Sequence, residues 1–316
     1  MFSVLVIVTI IGVAVVWSVL MIRADAFRPI SVDAATAHVL RRAGTVTRWR
    51  AVATLGSAAG VLVAGAAWNQ ADPESYGLPL LLAPGAAASL GLLVFAVFPP
   101  ARLEGQTGRR VASLTPRYPW SLGPRWSYLL PLGSAIAVIV FAILAGLASS
   151  PSDDGHYRSI SFDFGDYSSS AGPYPGWYYG VPLIAMTVAL LATTVLALWR
   201  ISAAPRPAVA ALRAPDSALR ILAIRTVMRL GSGALFVYAG GVLGFAGLTT
   251  GNAARILTAE GQITLQPAGA LGTIELVAGV LATLVGASLL ALAVLDASRP
   301  FFAPSHTAAE TVVSSG

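Results

Sequence analysis

The stretch GVPLIAMTVALLATTVLALW, residues 180-199, contains no ionisable side chain and is followed directly by Arg200. A helix of this length rises about 30 Å, at about 1.5 Å per residue, which matches the hydrocarbon core of a bilayer. Within that core the backbone polar groups must pair inside the segment, and a helix pairs nearly all of them. Residues 180-199 therefore predict a membrane-spanning helix.

Six more apolar stretches of similar length flank this one. The seven predicted spans lie near residues 2-22, 51-69, 78-98, 128-148, 180-199, 231-250 and 271-295. Of the 316 residues 56% are hydrophobic and 11% are charged, which is too few charged groups for the surface of a water-soluble protein. We expect an all-α integral membrane protein with a seven-helix transmembrane bundle at residues 1-298 and a disordered cytoplasmic tail at 299-316.

The arginines set the expected orientation. Lysine is absent, and 18 of the 20 arginines follow the first, third, fifth and seventh spans. Only Arg158 and Arg255 lie in the opposite loops, which are otherwise acidic. The positive-inside rule therefore predicts an N-out/C-in topology, in a plasma (inner) membrane.

The basic inner face indicates which kind of partner to expect. Anionic lipid headgroups attract such arginines by about 1 kcal/mol each, so we expect a lipid surface there rather than nucleic acid. A membrane or cytoplasmic protein partner stays open. Residues 215-230 predict an amphipathic helix that begins at Asp216 or Ser217 and extends the sixth span, with its arginines near lipid phosphates.

Two outer loops show a strand pattern. RSISFDFGDY, residues 158-167, alternates polar and apolar side chains, and RILTAEGQITLQP, residues 255-267, does so over a shorter run. We expect a small β-cap from the outer loops over the helices, and strand pairing between the two loops is a hypothesis.

The longer outer loop ends in PYPGWYYG, residues 173-180. Its prolines and glycine predict a turn, after which Trp177 and Tyr178 enter the fifth span. Aromatic rings at this depth usually anchor a helix in the membrane interface. The alternative is an aromatic-lined binding surface at the outer mouth.

Acidic residues in the same loop are candidate ligands for a hard cation or a partner. The cluster comprises Asp153, Asp154, His156, Asp163 and Asp166. Its spacing lacks the alternating ligands and closing glutamate of an EF-hand, so a solvated acidic loop without metal is expected. Asp163 and Asp166 remain candidate functional residues.

Ionisable groups are scarce within the spans. Glu275 lies about one turn into the seventh span from its outer end, and Asp296 lies near the inner end, within reach of Arg299. An intramembrane carboxylate is a candidate functional group, although Glu275 is also placed to extend towards the outer interface. Pro84 predicts either a kink in the third span or a discontinuous helix that exposes carbonyl groups to a substrate.

Four spans contain small residues spaced four apart, which permit close contact between helices. The pairs are Gly56 with Gly60, Ala142 with Gly146, Gly240 with Gly244, and Ala282 with Gly286. We expect these faces to serve packing within the chain rather than dimerisation.

Enzymatic chemistry is not expected. The chain has no cysteine, its three histidines lie in separate loops, and the spans carry no nucleophile with a neighbouring base. We therefore predict no catalytic residues, no cofactor and no metal site.

The loop RRVASLTPRYPW at 109-120, the turn PYPGWYYG and the lysine-free, Ala- and Arg-rich composition resemble multi-pass membrane proteins of high-GC Gram-positive bacteria. That resemblance implies an inner-membrane location and no known activity. The sequence favours a non-enzymatic accessory, regulatory or sensory membrane component that presents an acidic-aromatic loop outside. The alternative is a transporter or channel for a small apolar or amphipathic molecule.

Overall fold

The computed structural model describes residues 30–32, 34–98, 125–165, 168–205, 207, 212–258, 261–298 and 302–304. Most of this chain is helical, in α1 (Ala34–Ala71), α2 (Leu78–Val97), α3 (Arg125–Ala148), α4 (Trp177–Ala203), α5 (Arg213–Ala253) and α6 (Ala268–Ser298). All six helices are long and apolar enough to cross a membrane. The prediction of a helical protein with multiple spans is confirmed for these six, while the predicted first span at 2-22 lies outside the described residues.

Four of the six described helices form a central group, to which α1 and α6 attach. Within the described chain, α4 and α5 pack on each other and each packs on both α2 and α3, whereas α1 packs mainly on α2 and α6 packs mainly on α5. The core between the central helices contains Leu92 and Phe95 from α2, Leu190 from α4, and Val227 and Leu235 from α5. Apolar burial therefore holds the four central helices together, and α1 and α6 attach to them by a single face.

Short strands occupy the loops. A three-stranded antiparallel sheet joins β2 (Ser150–Pro151), β3 (Tyr157–Asp163) and β4 (Ser168–Ala171), and β5 (Arg255–Thr258) forms a hairpin with β6 (Gly261–Thr264). Strands in both outer loops were predicted, but among the described residues they pair within each loop and not between the loops. Local pairing is favoured because a short loop closes at a lower entropy cost.

The two ends of the described chain meet in a further pair of strands. β1 (Ile30–Val32), just before α1, pairs in parallel with β7 (Phe302–Pro304), just after α6. β7 lies within the tail that was predicted to be disordered. The pairing holds the chain before α1 next to the chain after α6.

Facing glycines join α5 to α6. Gly233, Gly240 and Gly247 are spaced seven apart on α5, and each approaches one glycine of α6. The facing pairs are Gly233 with Gly286, Gly240 with Gly279, and Gly247 with Gly272. A Cβ atom added at Gly240 would lie 2.6 Å from the Gly279 carbonyl oxygen, and one added at Gly286 would lie 2.6 Å from that of Gly233. We term this contact the glycine seam.

The seven-residue spacing explains how the glycine seam stays in register. A repeat of seven keeps one face of a helix turned towards its partner when two helices coil gently in the left-handed sense. Lipid offers no hydrophobic drive for helix association, so close backbone packing at small residues supplies the attraction instead. The pairs spaced four apart that were predicted from the sequence do not include this longer repeat.

The structure distinguishes the two predicted states of Pro84, and it places the start of the sixth-span extension earlier than predicted. α2 continues through Pro84, so the third span is not a discontinuous helix. Pro84 removes one helical hydrogen bond, and the neighbouring Gly85 packs tightly against Met186 of α4 and Tyr238 of α5, which supports the backbone at this point. The extension of the sixth span is confirmed, but α5 begins at Arg213 rather than at Asp216 or Ser217.

Adjacent glycines of α5 test the glycine seam. We expect Gly240→Ala to lower the free energy of unfolding by about 1–3 kcal/mol, because the added methyl group forces two backbones apart. At Gly241 an added Cβ meets nothing within 4 Å, so Gly241→Ala should be neutral or stabilising by up to about 1 kcal/mol through helix propensity. Unfolding of the purified protein in mixed micelles measures both, and equal losses would contradict the seam.

Candidate functional site

Three loops lie at one end of the bundle, here termed the hairpin side. They are residues 72–77, 149–176 and 254–267, which join successive antiparallel helices. Side-chain hydrogen bonds tie the first two loops to helix ends: Tyr179 Oη donates to the Tyr76 carbonyl oxygen at 2.6 Å, and Thr249 Oγ1 donates to that of Pro173 at 2.7 Å. The turn before α2 is therefore fixed to α4, and the long loop is fixed to α5.

Aromatic rings cluster where these loops meet. The Arg158 guanidinium lies 3.6 Å from the centre of the Tyr76 ring, and the Tyr178 ring contacts those of Tyr76, Tyr179 and His156 at centroid distances of 6.4, 4.8 and 5.1 Å. We term Tyr76, His156, Arg158, Tyr178 and Tyr179 the aromatic cap. Cation–π and edge-to-face contacts of this kind each stabilise by about 0.5–1.5 kcal/mol.

Tyr76 adopts an unusual backbone conformation within the aromatic cap. Its φ is +49°, in the left-handed region that residues with a Cβ rarely occupy. The Tyr179 hydroxyl holds its carbonyl group, and Arg158 covers its ring. These contacts offset the conformational cost and direct the ring towards the long loop.

An ion pair completes the aromatic cap. Arg158 Nη2 lies 2.7 Å from Asp154 Oδ2, and the hydrogen bond from Arg158 is the main reason that the pKa of Asp154 is lowered from its ordinary value. Because the pKa of Asp154 is lower in the folded state, the ion pair stabilises the fold fully above the pKa that Asp154 has in the unfolded chain. This stabilisation is lost as the pH falls through the pKa of Asp154 in the folded state. Asp154 is therefore ionised, and paired with Arg158, at neutral pH.

The predicted outer-loop residues have separate environments. Tyr178 lies in the aromatic cap, but Trp177 packs on α3, where a Cβ added at Gly146 would lie 2.7 Å from the indole ring. Asp163 is exposed at the end of β3, and its Oδ1 accepts the Gly165 N–H at 3.0 Å. Asp166 lies outside the described residues. Of the three described residues, Tyr178 alone belongs to the aromatic cap.

Glu275 is buried between α5 and α6, with 9% of its surface exposed. Thr250 Oγ1 donates a hydrogen bond of 2.9 Å to Glu275 Oε2, so the carboxyl group points into the helix pair instead of reaching the interface. Burial raises the pKa of Tyr174 in the overlying loop to about 12, with a smaller contribution from the charge of Glu275. Glu275 and Thr250 therefore form a buried hydrogen-bonded pair near the hairpin-side end of α5 and α6.

Arginines cap helix ends on the opposite side of the bundle. At the end of α2, Arg50 Nη2 donates to the Phe95 carbonyl oxygen at 2.5 Å, and Arg200 Nε donates to that of Ala96 at 3.3 Å. Arg220, which pairs with Asp216 at 2.8 Å, donates to three carbonyl oxygens at the end of α4, those of Ile201, Ala204 and Pro205. Cations at a helix C-terminus pair with its last carbonyl groups and with the negative end of its dipole.

Asp296 ties the end of α6 to α5. This buried carboxylate lies 2.6 Å from Arg229 Nη1 and 3.5 Å from Arg225 Nε. Arg299, the partner expected from sequence, lies outside the described residues. Arg220 and Arg229, predicted near lipid phosphates, instead have protein groups as partners.

Sequence reasoning missed Tyr76, Arg158 and Thr250 as members of these polar clusters. Tyr76 and Arg158 meet from two different loops, and Thr250 meets Glu275 from another helix, so no local motif links the partners. The acidic loop residues do not converge on a metal site: among the described residues no three His, Cys, Asp or Glu side chains are placed to hold an ion. No family model, curated protein or solved structure matches the chain.

The hydrogen bond from Tyr179 tests the anchoring of the aromatic cap. Tyr179→Phe should lower the free energy of unfolding by about 1 kcal/mol and speed amide exchange in residues 72–77, because the Tyr76 carbonyl group loses its donor. Tyr157→Phe, at an exposed ring, is the matched control and should change neither. Exchange mass spectrometry of the detergent-solubilised protein measures the effect, and unchanged exchange in Tyr179→Phe would refute the anchoring.

Proposed function

We propose that this chain is a seven-span, N-out/C-in protein of a plasma membrane that works as an accessory or sensory component. The hairpin side faces outwards in this topology, because 18 of the 20 arginines belong to the loops and helix ends of the other side. The aromatic cap and the adjoining acidic loop form the surface that meets a ligand or a partner protein.

The observation that carries the proposal is the anchoring of the long loop. Arg158 stacks on Tyr76, Tyr179 bonds the turn before α2, and Thr249 bonds Pro173. A surface that is ordered before binding loses less conformational entropy when a partner docks, which favours recognition. The loop is therefore suited to presenting a constant outer surface.

The exposed face of this loop has a defined chemistry. Asp153, His156 and Asp163 are exposed, and Tyr157 has 48% of its surface exposed. Carboxylates beside an aromatic ring suit a partner with a cationic group, since the charge and the ring face both attract it. The contacts of Tyr76, Tyr179 and Thr249 connect this surface to the ends of α2, α4 and α5, so a bound partner would act on those helix ends.

Photocrosslinking tests the proposed recognition surface. A benzophenone side chain at Tyr157 of the full-length protein in its native membrane should give a discrete protein adduct. The double variant Asp153→Asn/Asp163→Asn should reduce that adduct several-fold, because the charge attraction is lost. Leu144, 60% exposed on α3, is the control position and should give lipid adducts. Equal adduct patterns at Tyr157 and Leu144 would exclude recognition by this loop.

The second candidate is a transporter or channel for an apolar or amphipathic molecule. The Tyr238 hydroxyl favours it: this side chain is 2% exposed, and its oxygen has no hydrogen-bond partner among the described residues. Tyr238 lies against Gly85, next to Pro84, in the middle of the central helices. An unpaired hydroxyl in an apolar core costs about 1–3 kcal/mol, which a passing polar group would offset.

Flux through reconstituted vesicles tests the transporter candidate. If the central helices carry a substrate, Pro84→Ala and Tyr238→Phe should each change its flux at least several-fold, while Leu144→Ala on the outer surface of α3 should not. A flux that neither central variant alters would exclude this pathway. The measurement is independent of the crosslinking at Tyr157.

A further inference from the structure

α1 is the least covered of the spanning helices. Its spanning part, Trp49–Ala71, is 6% buried, against 22–56% for the other five described spans. Its helix contacts are mainly with α2. The opposite face is apolar and exposed, and its large side chains include Trp49, Val52 and Val63.

A strip of small residues runs along this exposed face. An added Cβ would meet nothing within 4 Å at either Gly56 or Gly60, and Ala64 continues the strip one turn further. Gly65, on the buried face, differs: its Cβ would lie 3.3 Å from the Pro79 carbonyl oxygen of α2. Glycine costs about 1 kcal/mol relative to alanine within a helix, and small residues repay this only when another helix packs closely.

The chain itself supplies an apolar segment that is long enough to cover this face. Residues 2-22 are the apolar segment that precedes α1, and residues 23-29 link it to β1 (Ile30–Val32). Seven extended residues reach at most about 25 Å. The link has to cover the distance from β1, at the start of α1, to the level of Trp49, where the spanning part of α1 begins. The part of α1 before Trp49 is about 22 Å long, so the link is long enough for residues 2-22 to enter the membrane beside α1. It is too short to carry the segment to the far side of the bundle.

The short link also makes residues 2-22 a better candidate than a second copy of the chain to cover the exposed face of α1. A segment held by a short link has an effective concentration in the millimolar range at its neighbour. More than half of residues 2-22 are Val, Ile or Thr, whose side chains are stiff and lose little freedom when they pack on a glycine surface. Close packing at glycines also occurs within the described chain, where the glycine seam joins two antiparallel helices.

We propose that residues 2-22 form a helix that packs antiparallel on the Gly56–Gly60–Ala64 strip of α1. Aligning Ile22 with Arg50 and Phe2 with Gln70 brings Gly12 beside Gly60, so that glycines face each other as they do in the glycine seam. This inference rests on the seven-span topology of the proposed function and not on its accessory or sensory role.

Disulfide crosslinking tests the packing directly, because the chain has no cysteine of its own. Val8 and Ala64 lie one turn further out than Gly12 and Gly60, so Val8→Cys/Ala64→Cys should form an intramolecular disulfide under mild oxidation in the membrane. Val8→Cys/Leu144→Cys is the control, since Leu144 is exposed on α3 at a similar depth. We expect the first pair to crosslink at least tenfold faster. A rate equal to the control would overturn the proposal, and so would a disulfide-linked dimer, which assigns the strip to a second copy.

Two further measurements separate packing from topology. Gly60→Leu should lower the crosslinking rate of the Val8/Ala64 pair several-fold, whereas Leu62→Phe, which adds bulk on another face of α1, should not. Ser3→Cys should react with a membrane-impermeant maleimide added outside. Labelled Ser3→Cys without crosslinking would overturn the packing alone. Unlabelled Ser3→Cys would overturn the N-out topology and the packing together.

Discussion

The close approach of α5 and α6 at the glycine seam determines where α6 lies and which of its side chains meet those of α5. α6 buries little of its own surface, and among the described helices it packs mainly on α5. Since lipid tails solvate apolar side chains as well as protein does, extra leucines would not hold it there. Contact between the backbones at Gly240 and Gly279 supplies the attraction, and the register of the facing glycines places Thr250 opposite Glu275 and Asp296 near Arg229.

Polar groups at the helix ends set the positions of the remaining elements. On one side, Arg50 and Arg220 bind the last carbonyl groups of α2 and α4, where the helix dipoles are negative. The arginines that indicate membrane orientation thus also join one helix to the next. On the hairpin side, phenol and threonine hydroxyls perform the equivalent task, because Tyr179 and Thr249 hold loop carbonyl groups against α4 and α5. The long loop is consequently part of the folded structure and presents its acidic and aromatic residues in a constant arrangement.

The candidate residues divide according to their surroundings. Asp163 is exposed in the long loop, whereas Tyr178, at the start of α4, is half-buried in the aromatic cap. Glu275 is satisfied by Thr250 within a tight helix pair, and so its first role is to hold that pair together. Removing the partner of such a buried group leaves a charge or a donor unpaired, at a cost of several kcal/mol. Tyr238 differs from Glu275, because its buried hydroxyl has no hydrogen-bond partner among the described residues.

The sequence by itself determined the six described helices and the strand character of both hairpin-side loops, because twenty-residue apolar runs and two-residue alternation are local patterns set by the bilayer and by strand geometry. The glycines spaced seven apart were also readable, although only pairs spaced four apart were recognised. Tertiary structure alone decided which residues meet: Arg158 with Tyr76, Thr250 with Glu275 and Arg229 with Asp296. The members of each pair lie 25 or more positions apart, and helix rotation and loop anchoring bring them together. No periodicity within one segment encodes such contacts, because they depend on how separate segments pack.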